Sequence, residues 1–262
     1  MGASDEPPPA PTATEAAAAF VAGVPFVVAN NVTDCREVAV VFFLDFADAN
    51  AKLPDGFEAA DVQGLLGTPV PLGRAGALLT TAVCQQGVLS QGRYDEASIA
   101  ITVQPPAFGT DLAPSTVDLY EFGRATSVPA HADVLGIVAW PRTGSVVEAT
   151  ASDSPAIQGS GRVEDAEGEL YSYTMTGPPT AVAVSGTFRW WNVGPDGVSL
   201  FDYTFEADGY GGGGECSVRA GSLAAQIVGA TSCSPTDSIL IALPGITGIT
   251  SEFRHLGAVS SA

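Results

Sequence analysis

Short runs of β-branched and aromatic residues, cut at intervals by Gly, Pro and Asp, constrain this chain more than any other feature of its sequence. Tyr94 to Val103 is the plainest case. Tyr94, Glu96, Ser98, Ala100 and Thr102 fall on one face, and Ala97, Ile99, Ile101 and Val103 on the other. That period of two predicts a β-strand, ended by Pro105 and Pro106. Strands are likewise expected at Val38–Phe43, Ala75–Cys84, Val134–Trp140, Ser145–Ala149, Leu170–Met175, Ala181–Val184, Thr187–Asn192, Leu200–Phe205 and Ile239–Leu243. Asp45 to Lys52 suits a short helix, and Leu53-Pro54-Asp55-Gly56 is a turn signal. Many short strands joined by such turns predict a mostly β, antiparallel, barrel-like fold with few short helices.

Length fits one such unit, and 46% hydrophobic residues in 262 supply a sizeable core. Residues 1–23 are set apart. Pro7, Pro8, Pro9 and Pro11 among Ala, Thr and acids read as a disordered leader, with a single domain over 24–262. No apolar run reaches the roughly 18–20 residues of a membrane span. Ser217 to Val228 shows a small-residue pattern. Gly211 to Gly214 reads as a flexible turn, not a phosphate loop, since no GxxxxGK[ST] motif is present.

Twenty-nine acidic residues against ten basic ones give a net charge of −19. Such a surface repels nucleic acid and anionic lipid, both of which need Lys and Arg, and leaves a small molecule as the expected partner. Homo-oligomerisation stays open. Two histidines, His131 and His255, lie far apart with no HxH or HExxH pattern, so no metal centre and no cofactor is expected. No GxSxG motif marks a nucleophilic serine.

Cys35, Cys84, Cys216 and Cys233 allow three pairings. Pairing successive cysteines, Cys35–Cys84 and Cys216–Cys233, is the favoured reading, with four reduced core thiols as the alternative. Disulfides imply an oxidising compartment, hence an extracellular or periplasmic protein whose signal peptide has been removed. Asn31-Val32-Thr33 is a glycosylation sequon, relevant only in a source that glycosylates.

Several segments resemble, in order, those of the acetoacetate decarboxylase-like family. Leu53-Pro54-Asp55-Gly56-Phe57 is similar to its LPxGF element, and Gly92-Arg93-Tyr94-Asp95-Glu96-Ala97 resembles the GxYxE strand that carries an acid into the pocket. Gly136 to Arg142 sits where the family has GxxxxGxPK, with Val134 and Ala139 at the two glycine places. Gly214-Glu215-Cys216 and Gly221 to Ala224 are similar to its late strands. The resemblance spans roughly 24–256. It implies a closed antiparallel barrel-like fold around a small hydrophobic cavity, in which a lysine amine condenses with a β-keto acid. Burial and a neighbouring cation would keep such an amine unprotonated.

At that lysine's place this chain has Arg142, and its only lysine is Lys52, expected at the surface. A guanidinium stays protonated and forms no Schiff base. The resemblance therefore implies a different chemistry. Glu96 becomes the acid–base group and Arg142 the anion holder, with Trp140 and Tyr94 beside them as substrate-binding residues. A lyase, isomerase or hydratase needs only those parts. A non-catalytic barrel carrying a hydrophobic or acidic ligand is the alternative, and a simple Glu96–Arg142 ion pair is the structural one. Trp190, Trp191, Tyr203 and Phe205 read as core, or as the lining of an apolar pocket.

Overall fold

The computed structural model describes residues 14–15, 18, 25–66, 72–87, 94–107, 112–126, 129–137, 140–153, 157–195 and 197–257. Nearly all of the expected leader, together with residues 92–93 and 138–139 of the motifs above, lies outside them. In chain order the elements are β1 (Phe26–Thr33), β2 (Cys35–Leu44), α1 (Phe46–Asn50), α2 (Gln63–Leu66), β3 (Ala75–Cys84), β4 (Gln86–Gly87), β5 (Tyr94–Val103) and β6 (Val117–Thr126). There follow α3 (Pro129–Ile137), β7 (Arg142–Ser152), β8 (Gln158–Asp165), β9 (Gly168–Met175), β10 (Thr180–Gly194), β11 (Gly197–Gly212), β12 (Gly214–Val218), α4 (Leu223–Val228) and β13 (Ser238–Gly257).

Seven strands close into a barrel in the order β10-β11-β13-β2-β3-β5-β6. Closure is made by a parallel pairing of β6 with β10, from Val117 opposite Phe188 to Tyr120 opposite Trp191. Closing the sheet leaves those seven strands without the open edge that invites aggregation. From β6 the chain continues into a second layer, β7-β8-β9-β12, which covers the outer face of β2, β3 and β5. Strand β5 is consequently buried on both faces, and β3 nearly so.

Each strand of this shared wall sends alternate residues to two cores. Val38, Val40, Phe42, Leu79, Ile99 and Ile101 pack against the second layer. Val41, Phe43, Leu78, Tyr94 and Ala100 face the barrel interior with Phe188, Trp190, Phe201 and Phe205. The layers are pinned by two buried phenols: Tyr171 Oη donates to the Thr80 carbonyl at 3.1 Å, and Tyr173 Oη to the Val38 carbonyl at 2.8 Å. Gly161 lets them meet, since a Cβ there would fall 2.3 Å from Thr81 Oγ1 and 2.6 Å from the Tyr173 ring.

Cys35 is disulfide-bonded to Cys84 and Cys216 to Cys233, as favoured from the order of the cysteines. The first bond joins β2 to β3; the second ties β12 to the segment after α4.

Three local expectations are corrected. Val134 and Leu135 lie in helix α3, not in a strand; Pro129 stands at its first position, where its missing N–H costs nothing, and tertiary packing overrides β-propensity. Ala181–Val184 and Thr187–Asn192 are parts of one 15-residue strand, β10. Gly211 and Gly212 are not a free turn but the end of β11, opposite Ile241 and Leu240. A Cβ at Gly211 would press on Ile239 at 3.0 Å. Strand β6 is not anticipated by the sequence reading at all.

Candidate active site

The barrel wall stacks three rows of inward-facing residues. Across β13, β2, β3, β5 and β6 the first runs Leu243, Glu37, Ala82, Glu96, Thr126, and the second Ile241, Ala39, Thr80, Ser98, Arg124. The third is Ile239, Val41, Leu78, Ala100, Glu121. The polar face of β5 that alternation predicted is thus the lumen face, and Glu96 points inward with it.

Glu121 and Arg124 are three residues apart, a spacing that puts side chains of a regular strand on opposite faces. A β-bulge, where Gly123 pairs with Ile99 and Glu121 with Ala100, leaves Phe122 without a partner and turns both charged side chains inward. Arg124 is 1% exposed and Glu121 is fully buried. Arg124 Nε donates to Glu121 Oε1 at 2.9 Å and Nη2 to Glu121 Oε2 at 2.8 Å, a bidentate fork. Nη1 donates to Glu96 Oε2 at 2.8 Å. Tyr94 Oη donates to that same Glu96 oxygen at 2.7 Å, and Ser98 Oγ to Glu121 Oε1 at 3.1 Å. Three rings surround the guanidinium carbon: Phe201 at 4.4 Å, Trp190 at 5.7 Å and Trp140 at 5.9 Å.

These surroundings set the protonation states. Burial works against the Arg124 cation, but Glu121 and then Glu96 outweigh it and hold its pKa above the ordinary arginine value. Burial raises Glu121, and Arg124 partly offsets this. Burial, reinforced by the Glu96 charge, lifts Tyr94 well above the usual phenol range.

Next to the network lies a cavity of about 30 Å3, room for one or two waters. Thirteen described residues line it, and eleven are apolar, among them Leu78, Leu119, Phe188, Trp190 and Phe205. Thr80 and Glu37 are the others. The Glu37 carboxyl has neither hydrogen bond nor ion pair among the described residues, and the residue is half-buried. Burial first, and the Glu96 charge second, push its pKa up to about 8, with Arg124 acting in the opposite direction. Trp190 lines the same cavity, and its indole N–H is buried without a partner.

The sequence-predicted residues are dispersed. Glu96 and Tyr94 sit together in the network, and Trp140 is buried against Arg124, but none of the three lines the cavity. Arg142 does not meet Glu96, contrary to expectation. It is exposed at the start of β7, in a surface groove with Glu164, Asp165 and Arg219. The reason is topological. β7 pairs with β6 only at Arg124–Arg142 and Ala125–Gly144 before leaving for the second layer, so Arg124 occupies the interior and Arg142 the rim. Lys52 does not line the cavity; its Nζ donates to the Gln226 carbonyl at 2.8 Å. Glu37, Glu121 and Arg124 were missed by the sequence reading; a lone charge in an apolar β-branched run was the one available signal for Glu37. Among the described residues no group of His, Cys, Asp and Glu could hold a metal ion, and no helix is long and apolar enough to cross a membrane.

No protein-family model matches the sequence, and comparison with curated proteins finds no match. Solved structures do match. An acetoacetate decarboxylase-like enzyme from Sphingomonas wittichii RW1 superposes with a TM-score of 0.50 at 11% identity, over 87% of this chain and 89% of that one. The enduracididine biosynthesis enzyme MppR, with HEPES bound, gives 0.52 at 14%, over 89% and 87%. Acetoacetate decarboxylase from Legionella pneumophila gives 0.50 at 12%, over 88% and 87%. The chain has the acetoacetate decarboxylase-like fold.

Proposed function

We propose that this chain is an acid–base enzyme on the acetoacetate decarboxylase-like fold, acting on a small carbonyl or carboxylate compound without a Schiff base. The observation that carries the reading is Glu37, an unpaired carboxyl lining an apolar cavity inside the barrel. A general acid–base works best when its pKa lies near the operating pH, and burial brings Glu37 to about 8. Protonated, it donates to a substrate oxygen; ionised, it takes a proton from carbon. Arg124, held by Glu96 and Glu121, supplies the positive charge that keeps the ionised form within reach. Glu96 and Tyr94 position that cation, and Trp140 covers it. The chain's one lysine, Lys52, is bonded to Gln226 on the surface, which supports chemistry without an iminium.

Such parts suit enolisation, and with it lyase, isomerase or hydratase reactions. The test is deuterium exchange at the carbon next to the carbonyl of acetone, butanone and acetoacetate in D2O, followed by NMR. Wild type should exchange protons at least a hundredfold faster than Glu37→Gln, the usual span of one general acid–base group. Borohydride should trap no adduct. Exchange that persists in the variant, or an adduct at Lys52, refutes the reading. The predominantly apolar lining favours a second reading, a ligand-carrying barrel, in which neither protein exchanges protons yet ligand still binds. Both readings place one folded unit over 24–262 in an oxidising, extracytoplasmic setting, where the two disulfides persist.

A further inference from the structure

The two ends of the barrel are closed by different means. At one end, a row beyond Glu37 and Glu96, Cys35 and Cys84 are bonded across β2 and β3, and the Tyr203 hydroxyl donates to Cys35 Sγ at 3.4 Å. At the other, the segment before α2 lies along the start of β3 and the end of β5, held by isolated bridges at Asp61–Ala75 and Ala59–Val103. Ala60 N donates to the Thr102 carbonyl at 2.9 Å, and Thr102 Oγ1 returns a bond to the Ala60 carbonyl at 2.8 Å. Val62 is fully buried on Gly76, where a Cβ would fall 2.6 Å from its Cγ2. Leu65 follows one turn later, its N–H donating to the Val62 carbonyl at 2.9 Å, and its side chain is buried. Leu65 borders two spaces. One is the inner cavity of about 30 Å3, whose lining runs through Leu119, Leu78 and Thr80 to Glu37. The other is a surface pocket of about 200 Å3, lined also by Thr102, Gln104, Ser115, Thr116 and Val117. Among the described residues Leu65 alone lines both.

As it stands the inner cavity takes a water or two, so a carbonyl compound reaches Glu37 only where a wall gives way. Most of that wall is strand. Val41, Leu78, Leu119 and Ile241 sit in hydrogen-bonded ladders, and moving them breaks backbone bonds. Leu65 stands instead on a helix of four residues. A change of its side-chain rotamer breaks no ladder bond, and the surface pocket offers the space to receive it. Resting on the acid–base reading of this site, we infer that Leu65 is the gate between an outer vestibule and the inner cavity, and that its side chain sets the largest carbonyl compound able to reach Glu37. Turned toward the vestibule, it joins the two spaces; in the position seen here, it keeps bulk water out of the barrel interior.

Xenon tests the gate with no catalysis involved. Leu78→Ala enlarges the inner cavity from a wall that does not border the vestibule, and an enlarged apolar cavity takes up xenon. In that background, 129Xe NMR should show xenon exchanging about tenfold faster when Leu65→Ala is added, and about tenfold more slowly with Leu65→Phe. Leu65→Phe adds atoms beside the surface pocket and removes none from the core, so it decides the matter should the double truncation unfold. A xenon exchange rate indifferent to residue 65 overturns the inference. The second arm is proton exchange in D2O. Leu65→Ala alone should raise the exchange of cyclohexanone relative to acetone by about tenfold, because the wider passage favours the larger ketone. Xenon gated by Leu65 with no proton exchange from any ketone would leave the gate standing and remove the enzymatic reading. Glu37-dependent exchange, with both the xenon rate and the ketone size profile indifferent to residue 65, would do the reverse.

Discussion

Glu37 makes the stability of this protein depend on pH in an unusual direction. Its carboxyl titrates near 8 when folded, against an ordinary value of 4.5. Between those values the folded chain holds a proton that the unfolded chain has released. Stability therefore falls as pH rises through this window, by about 1.4 kcal/mol per unit at most. Over 3.5 units the loss comes to roughly 5 kcal/mol, a large share of the 5–15 kcal/mol of a typical domain. Glu37→Gln keeps the shape and cannot ionise. Guanidinium unfolding of both proteins, disulfides intact, at pH 5, 6, 7, 8 and 9 gives a difference curve that isolates Glu37 together with its coupling to Glu96 and Arg124. The variant should match wild type near pH 5, gain steadily to pH 8 and level off above it. A difference that is flat from pH 5 to 9 would mean that the carboxyl ionises normally in the folded state, and the account of the cavity would fall with it.

Other parts of the structure make sharper demands on stability. Arg124→Leu strands Glu96 and Glu121 in the core and should cost about 3–5 kcal/mol, most of it recovered when both glutamates are also made Gln; denaturant midpoints report both. Loss of the Cys35–Cys84 bond, closing 49 residues, should cost about 4 kcal/mol, and loss of Cys216–Cys233, closing 17, about 3, measured on the double-alanine variants. Gly161→Ala should destabilise by about 1–3 kcal/mol in thermal unfolding, because its methyl meets Thr81 and Tyr173 where the two layers touch.

What the sequence determined by itself is the local and pairwise part. Alternation from Tyr94 to Val103 specified a strand with one polar face, Gly and Pro placed most turns, and cysteine order favoured the two disulfides. The LPDGF and GRYDEA motifs pointed to the fold and brought Glu96 and Tyr94 to attention. Only the tertiary structure decided which cation stands beside Glu96. Period two separates Glu121 from Arg124, and a single unpaired residue, Phe122, reunites them; register of this kind depends on the partner strand. Likewise Arg142 is carried out of the barrel by the departure of β7, and Glu37 becomes a cavity acid only because barrel closure brings β10 and its aromatic residues around it. A side chain's charge is written in the sequence. Whether water, a counter-ion or an apolar wall faces it is set by strands distant in the chain, and that decides its chemistry.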